Sequence, residues 1–254
     1  IPFIIYVIIF CYVPLGGWLM AFQNYKPKTG LFGSKFVGLA KFEFLFSDAT
    51  FLKVIRNTLG MGVLNLITTF IMAIVFAILL NEVRSKFGKK TVQTISYLPH
   101  FLSWIIVTGI LHDALSTSGI INELLQKLNM IDSPINFFAH PSYFWPIVAF
   151  ANVWKETGWN AIIYLATITS IDPCLYEAAS IDGADKMHCF RFITLPMLAP
   201  TTLFLLVTTF ISSMKVFQSV DVMTSGGPYD ATMVMVQWVY NLSFKDFRVD
   251  RAAA

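Results

Sequence analysis

Apolar positions in this chain gather into long runs separated by short polar connections. A bilayer core of about 30 Å takes about 20 mostly apolar residues in a helix, and that ruler picks out runs at 1–22, 58–80, 91–111, 143–171 and 198–217 as spanning helices. The second, "TLGMGVLNLITTFIMAIVFAILL", carries no charge at all. The fourth is the anomaly, because Lys155 and Glu156 interrupt it. Residues 1–254 therefore read as one all-α transmembrane domain. The chain stops at "VDRAAA", where another apolar run begins, so a sixth span is expected beyond it.

Composition supports the class. The chain is 56% hydrophobic, 15% aromatic and 13% charged, and its mean hydropathy of +0.65 lies outside the range of soluble domains. It is a polytopic membrane protein, with the lipid bilayer as its first partner. The net charge of +3 comes from scattered residues, and no basic stripe argues for nucleic acid. Cys11, Cys174 and Cys189 fall in apolar or helical contexts, which suits buried thiols better than disulfides or a metal site.

Lysine and arginine set the expected orientation. The connection "NEVRSKFGKK" packs Arg84, Lys86, Lys89 and Lys90 into one short loop, which is expected to be cytoplasmic. Alternation then places 23–57, 112–142 and 218–250 outside and 172–197 inside. The first external loop also carries Lys26, Lys28, Lys35, Lys41, Lys53 and Arg56, at lower density.

The connection 172–197 holds most of the polar detail. Asp172 followed by Pro173 is an N-cap followed by proline at the first helical position. "CLYEAASI" continues as helix, and Gly183 is placed to end it in a left-handed cap. Asp182 is positioned to cap the next turn, with Asp185 near the positive end of a second short helix. Pro196 and Pro200 mark the entry to the following span.

Glu177, Ala178 and Ala179, then Asp182, Gly183 and Ala184, then Phe190, Ile193, Leu195 and Pro196 resemble the EAA loop of binding-protein-dependent ABC importer permeases. "FVGLAKFEFLFSD" and "FQSVDVMTSGGPYDAT" look like the sugar, maltose-type branch. The resemblance implies a six-helix type I permease core, with its last helix truncated here, in the bacterial plasma (inner) membrane. It implies that 172–197 is a coupling helix docked on a cytoplasmic ATPase subunit, with Glu177 offering a carboxylate to that partner and Ala178 and Ala179 allowing close approach. Glu177 as a cap or a merely solvated group is the competing reading. The implied partners are a second homologous permease subunit in a heterodimer, two cytoplasmic ATPase subunits and an extracytoplasmic solute-binding protein docked near "TSGGPYDAT".

No G-x-x-x-x-G-K-[ST] loop and no H-E-x-x-H helix is present, and the four histidines are scattered. The chain is thus expected to be a transport subunit and not an enzyme. No cofactor is expected on it, ATP and magnesium belonging to the partner ATPases.

Ungapped alignment on the EAA loop implies that Asn152, Lys155, Glu156 and Trp159 of the fourth span, and Thr209, Ser213 and Val216 of the fifth, face the sugar. A charge at mid-bilayer costs roughly 2.5–3.5 kcal/mol on insertion scales, so Lys155 and Glu156 need a polar cavity, a partner or the interface. Neighbours on a helix diverge by about 100°, so the two point different ways. Pore lining, or an interfacial belt with Trp145, Trp154 and Trp159, both satisfy that constraint. Lys155 in the pathway would suit an acidic cargo such as alginate-type uronic-acid oligosaccharides. A glycerol-phosphate permease is the alternative within the family, and a secondary carrier the alternative outside it.

Overall fold

The computed structural model describes residues 2–214, 218–224 and 231–254. In chain order the helices are α1 Pro2–Phe22, α2 Ala40–Ser47, α3 Ala49–Glu82, α4 Lys86–Tyr97, α5 Trp104–Leu115, α6 Ile120–Lys127, α7 Pro141–Ser170, α8 Pro173–Ile181, α9 Lys186–Met197, α10 Ala199–Met214, α11 Gln218–Thr224, α12 Met235–Tyr240 and α13 Val249–Ala253. Local chemistry sets several starts. Asp48 accepts the Thr50 N–H (2.8 Å) before α3, Ser85 accepts that of Gly88 (3.1 Å) before α4, and Ser103 that of Ile106 (3.4 Å) before α5.

One element departs from the runs expected from hydropathy. The run 91–111 is not one helix: α4 ends at Tyr97, a short 3-10 turn covers Leu98–Phe101, and α5 starts at Trp104. Pro99 has no N–H to continue the ladder, which breaks the span in its middle. At the entry to the 198–217 run the chain bends by 58° between α9 and α10, beside Pro196 and Pro200. α1, α3 and the run Trp104–Lys127 are each long and apolar enough to cross a membrane, and α9 with α10 forms a fourth, broken candidate. At 30 residues α7 is long enough to cross as well. The three cysteines are free, but Cys11 and Cys174 are exposed on the chain and Cys189 half-buried, so they are not the buried thiols expected.

The described chain divides into two compact units, Ile1–Thr58 with Ser225–Ala254, and Leu59–Thr224. In the first unit a minimal antiparallel hairpin pairs Gln23 with Phe36 and Asn24 with Lys35. Its core is Leu45, Val54, Met233, Trp238 and Leu242. Fully buried Asn57 satisfies this core by donating to the carbonyls of Ala231 and Met233 (both 3.1 Å), and the Thr58 hydroxyl accepts the Met235 N–H (2.8 Å). Lys41 and Asp250 pair at 2.5 Å, and Arg251 lies over the Phe44 ring (4.0 Å).

The second unit is built on α3, α7 and α10. Ala73 and Ala77 of α3 meet Ala161, Tyr164 and Ile168 of α7, closed by Leu198 and Leu205. Small residues let helix backbones approach closely where lipid offers no hydrophobic drive for association. Gly158 of α7 makes the closest approach, since a Cβ there would collide with the backbone carbonyl of Ser96. That contact seats the end of α4, and the break after it, against the middle of α7.

Candidate transport cavity and coupling loop

At the break the Pro99 carbonyl accepts the Leu102 N–H (3.1 Å), but that of His100 has no backbone partner among the described residues, and Lys155 of α7 fills that need. Its ammonium donates to the Pro99 carbonyl (3.4 Å) and to the His100 carbonyl. The residue is only 5% exposed. Lys155 Nζ also lies 3.8 Å from Glu156 Oε1 and 5.8 Å from the centre of the Trp104 ring. The side chain is therefore held within its own unit.

Glu156, one residue on, turns to the other side. Its Oε2 accepts from His100 Nδ1 at 2.8 Å. His100 in turn stacks flat on Trp159, with ring centroids 4.5 Å apart and planes 5° from parallel. Around this cluster opens a cavity of about 610 Å³ inside the second unit. From α7 it is lined by Asn152, Glu156, Trp159 and Asn160, which at i, i+4, i+7 and i+8 form one helix face. From α3 come Asn65 and Thr69, and from the break His100 and Trp104. From α10 come Thr208, Thr209, Ser212 and Ser213, and from α11 Ser219.

Of the residues singled out from sequence, Asn152, Glu156, Trp159, Thr209 and Ser213 thus share one cavity, and Lys155 stands behind its wall and does not line it. Val216, and residues 225–230 of the "TSGGPYDAT" turn, lie outside the described residues. Sequence reasoning missed Asn65, Thr69, His100, Trp104, Asn160, Thr208, Ser212 and Ser219. Two local signals pointed at some of them: a lone amide, Asn65, in an otherwise uncharged span, and "LPH" within an apolar run.

Among the described residues the lining is amide, hydroxyl and indole, with one carboxylate, one imidazole and no lysine or arginine. Asn152 Nδ2 donates to Asn65 Oδ1 (3.4 Å), while Asn65 Nδ2 is buried without a hydrogen-bond partner. Such a donor calls for a polar ligand or water. Trp159 is 40% exposed, and since His100 covers one of its faces, its free surface offers a flat apolar platform.

The second candidate site is the connection after α7. Asp172 accepts the Cys174 N–H (2.9 Å), and that hydrogen bond holds its carboxyl below the usual carboxylate range. α8 ends in a Schellman motif, with Gly183 N–H donating to the Ser180 carbonyl (3.1 Å) and Ala184 N–H to that of Ala179 (2.9 Å). Gly183 has φ +78°, a conformation glycine alone adopts without strain. Asp182 sits at the C-cap of α8 and does not cap the next turn. That role falls to Asp185, which accepts the His188 N–H (2.7 Å) and whose carboxyl is lowered by this bond.

The α8 surface is open. Glu177, Ala178, Asp182 and Gly183 are exposed, and Ala179 and Ala184 half-buried. Glu177 makes no hydrogen bond or ion pair among the described residues, so it is not a cap. Beside it Ile181 is 86% exposed and Leu175 and Met187 are exposed too, a set of apolar groups with nothing of this chain over them. The loop is tied back by Tyr176 to Thr194 (2.9 Å) and by an exposed Lys186–Glu82 pair (2.8 Å) to the end of α3.

Residues 69–249 match the model of the family described as "Binding-protein-dependent transport system inner membrane component". The chain is 38% identical over 96% of its length, and 76% of the relative's, to the polygalacturonan/rhamnogalacturonan transport system permease protein YteP of Bacillus subtilis. In structure it is similar to a bacterial ABC transporter involved in the import of the acidic polysaccharide alginate, with a TM-score of 0.90, 37% identity, and coverage of 100% of this chain and 85% of that one. It is equally similar to a bacterial alginate ABC transporter in complex with an alginate pentasaccharide-bound periplasmic protein, with a TM-score of 0.89, 38% identity, and coverage of 99% and 84%.

Proposed function

This chain belongs to the family of binding-protein-dependent transport system inner membrane components, and we propose that it passes an acidic, uronic-acid type oligosaccharide through an ATP-driven importer. It is a type I permease fold, an integral inner-membrane protein and a transport subunit, not an enzyme. Its general cargo is an oligosaccharide. The acidic class is the finer reading, supported by relatives named for polygalacturonan and for alginate.

The observation that carries the reading is the cavity lined from α3, α7, α10 and the Pro99 break. Amides and hydroxyls there match the hydroxyls of a pyranose, and Trp104 and Trp159 match its apolar ring face. A glycerol-phosphate cargo is the less favoured reading: a phosphate dianion takes guanidinium forks or ammonium groups, and the described lining supplies neither.

Delivery is by a periplasmic solute-binding protein. The remaining assembly comprises a second homologous permease subunit and two ATPase subunits that hold ATP and magnesium, with the 172–197 loop on the cytoplasmic side. Exposed Glu177 flanked by Leu175 and Ile181 supports docking of α8 on an ATPase, because a free carboxylate among unpartnered apolar groups is the composition of an interface. Closure of the two ATPases would then move α8 and α9 and, through the packed spans, the cavity wall.

The test is uptake into proteoliposomes containing the assembled importer and internal ATP. A galacturonic-acid trisaccharide is expected to accumulate only when the binding protein is present outside. Accumulation of glycerol 3-phosphate instead, or uptake driven by an ion gradient without ATP, would overturn the reading.

A further inference from the structure

Within the cavity one group is left with an unused hydrogen-bonding position. His100 Nδ1 is committed to Glu156, and because a carboxylate only accepts, the proton of a neutral His100 ring sits on Nδ1. Its Nε2 has no partner among the described residues, on a residue that lines the cavity. The ring cannot swing away easily, since it is stacked on Trp159 and its own backbone carbonyl is held by Lys155.

The consequence is a ligand-facing atom whose role depends on protonation. With the ring neutral, Nε2 accepts a hydrogen bond, as from a sugar hydroxyl. With the ring protonated, Nε2–H donates, and a sugar carboxylate is its strongest acceptor. Among the described residues, the charged groups facing His100 are few. α7 contributes Glu156 and, behind the wall, Lys155; the last turn of α4 contributes only Tyr97, whose ring packs on Phe101; the described residues of α3, α10 and α11 contribute no titratable group to the cavity. Protonation of His100 adds one positive charge to this part of the wall, where Lys155 and Glu156 offset each other.

Resting on the acidic-oligosaccharide reading above, the geometry points to His100 as the specificity-determining residue of this half of the pathway, reading a uronate carboxylate through Nε2–H. Only the protonated ring donates from Nε2, so the preference for acidic over neutral sugar is greater at lower pH than at higher.

The assay is ATP hydrolysis by the complete reconstituted importer with its binding protein. It is stimulated by a galacturonic-acid trisaccharide or by its methyl-esterified, uncharged counterpart, across pH 5.5–8. The quantity read is the acid-to-ester stimulation ratio of each variant divided by that of the native complex at the same pH, which cancels titrations in the other subunits. A charge-assisted hydrogen bond is worth roughly tenfold, so in His100→Gln the native ratio should fall by up to about tenfold, and more at pH 5.5 than at pH 8. His100→Lys keeps a fixed cation there, and its ratio is expected to stay high and flat with pH. A His100→Gln complex that keeps the native ratio and its pH profile overturns the assignment while leaving the acidic-oligosaccharide reading intact. If neither trisaccharide stimulates the native complex, the underlying reading fails and the assignment with it.

Discussion

Lys155 shows how much a single charge depends on what faces it. In mid-span an ammonium is costly, yet here it meets the His100 carbonyl that the broken helix leaves over, and shares the Pro99 carbonyl with the Leu102 N–H. Lys155→Met should therefore orphan the His100 carbonyl and cost about 1–3 kcal/mol. The check is thermal unfolding of the purified complex; an unchanged midpoint would mean water replaces the ammonium without loss. Gly158→Val should be worse, because its Cβ meets the Ser96 backbone carbonyl and not a side chain that can turn aside. Failure to recover assembled complex is the expected outcome, and normal yield would contradict the close approach. The charge at Lys155 is plain in the sequence, but its direction is not. Adjacent helical positions diverge by about 100°, which leaves two placements open. The deciding partners lie 55 residues upstream, at a break that a hydropathy window smooths into one apolar run. His100 and Trp104 escaped notice for the same reason: both enter the cavity only because that span is broken.

At the scale of elements, the 172–197 loop was the most legible part of the chain, since caps are set by neighbours in sequence. Asp172, Pro173 and Gly183 do what their types predict. Asp182 and Asp185 exchanged roles because the Schellman closure uses up the residues through Ala184 before a new helix can start. At φ +78°, Gly183→Val should strain the turn by roughly 1–2 kcal/mol and tilt α8 against α9, reducing coupling more than folding. Sugar-stimulated ATP hydrolysis that falls in a complex of normal yield is the result expected, whereas native stimulation would make the turn geometry dispensable. The caps also carry a pH prediction. Asp172 and Asp185 have carboxyls lowered by hydrogen bonds from Cys174 and His188. A lowered folded-state pKa gives stability that is present above the unfolded value, near 4, and is lost as pH falls through the folded one. Amide protection in α8 and the start of α9 should therefore hold from neutral pH down to about 4 and decline only below it; decline between pH 7 and 5 would contradict the capping geometry.

For the whole molecule, the class and the family were legible in the sequence, because long apolar runs and a polar bracket are one-dimensional signals. The cavity was only half legible. The face 152–156–159 could be projected along one helix, but Asn65 and Thr69 joined it through the packing of α3 on α7, which rests on small residues such as Ala73, Ala77 and Ala161. On the proposed reading two features must work together for transport: a cavity lined by amides, hydroxyls and indoles in the packed spans, and an exposed loop on which ATP-driven motion would act.

That union is most directly tested by sugar-stimulated ATP hydrolysis in the reconstituted importer, comparing native Glu177 with Glu177→Lys. Glu177 is exposed and has no partner among the described residues, so the change should leave folding intact. Stimulation by the galacturonic-acid trisaccharide with its binding protein is predicted for the native complex and should fall about tenfold or more in the variant, as expected when a contact carboxylate is replaced by the opposite charge at an interface. Full stimulation in Glu177→Lys would contradict the account, leaving α8 a connector between spans and not the point at which ATP hydrolysis reaches the cavity.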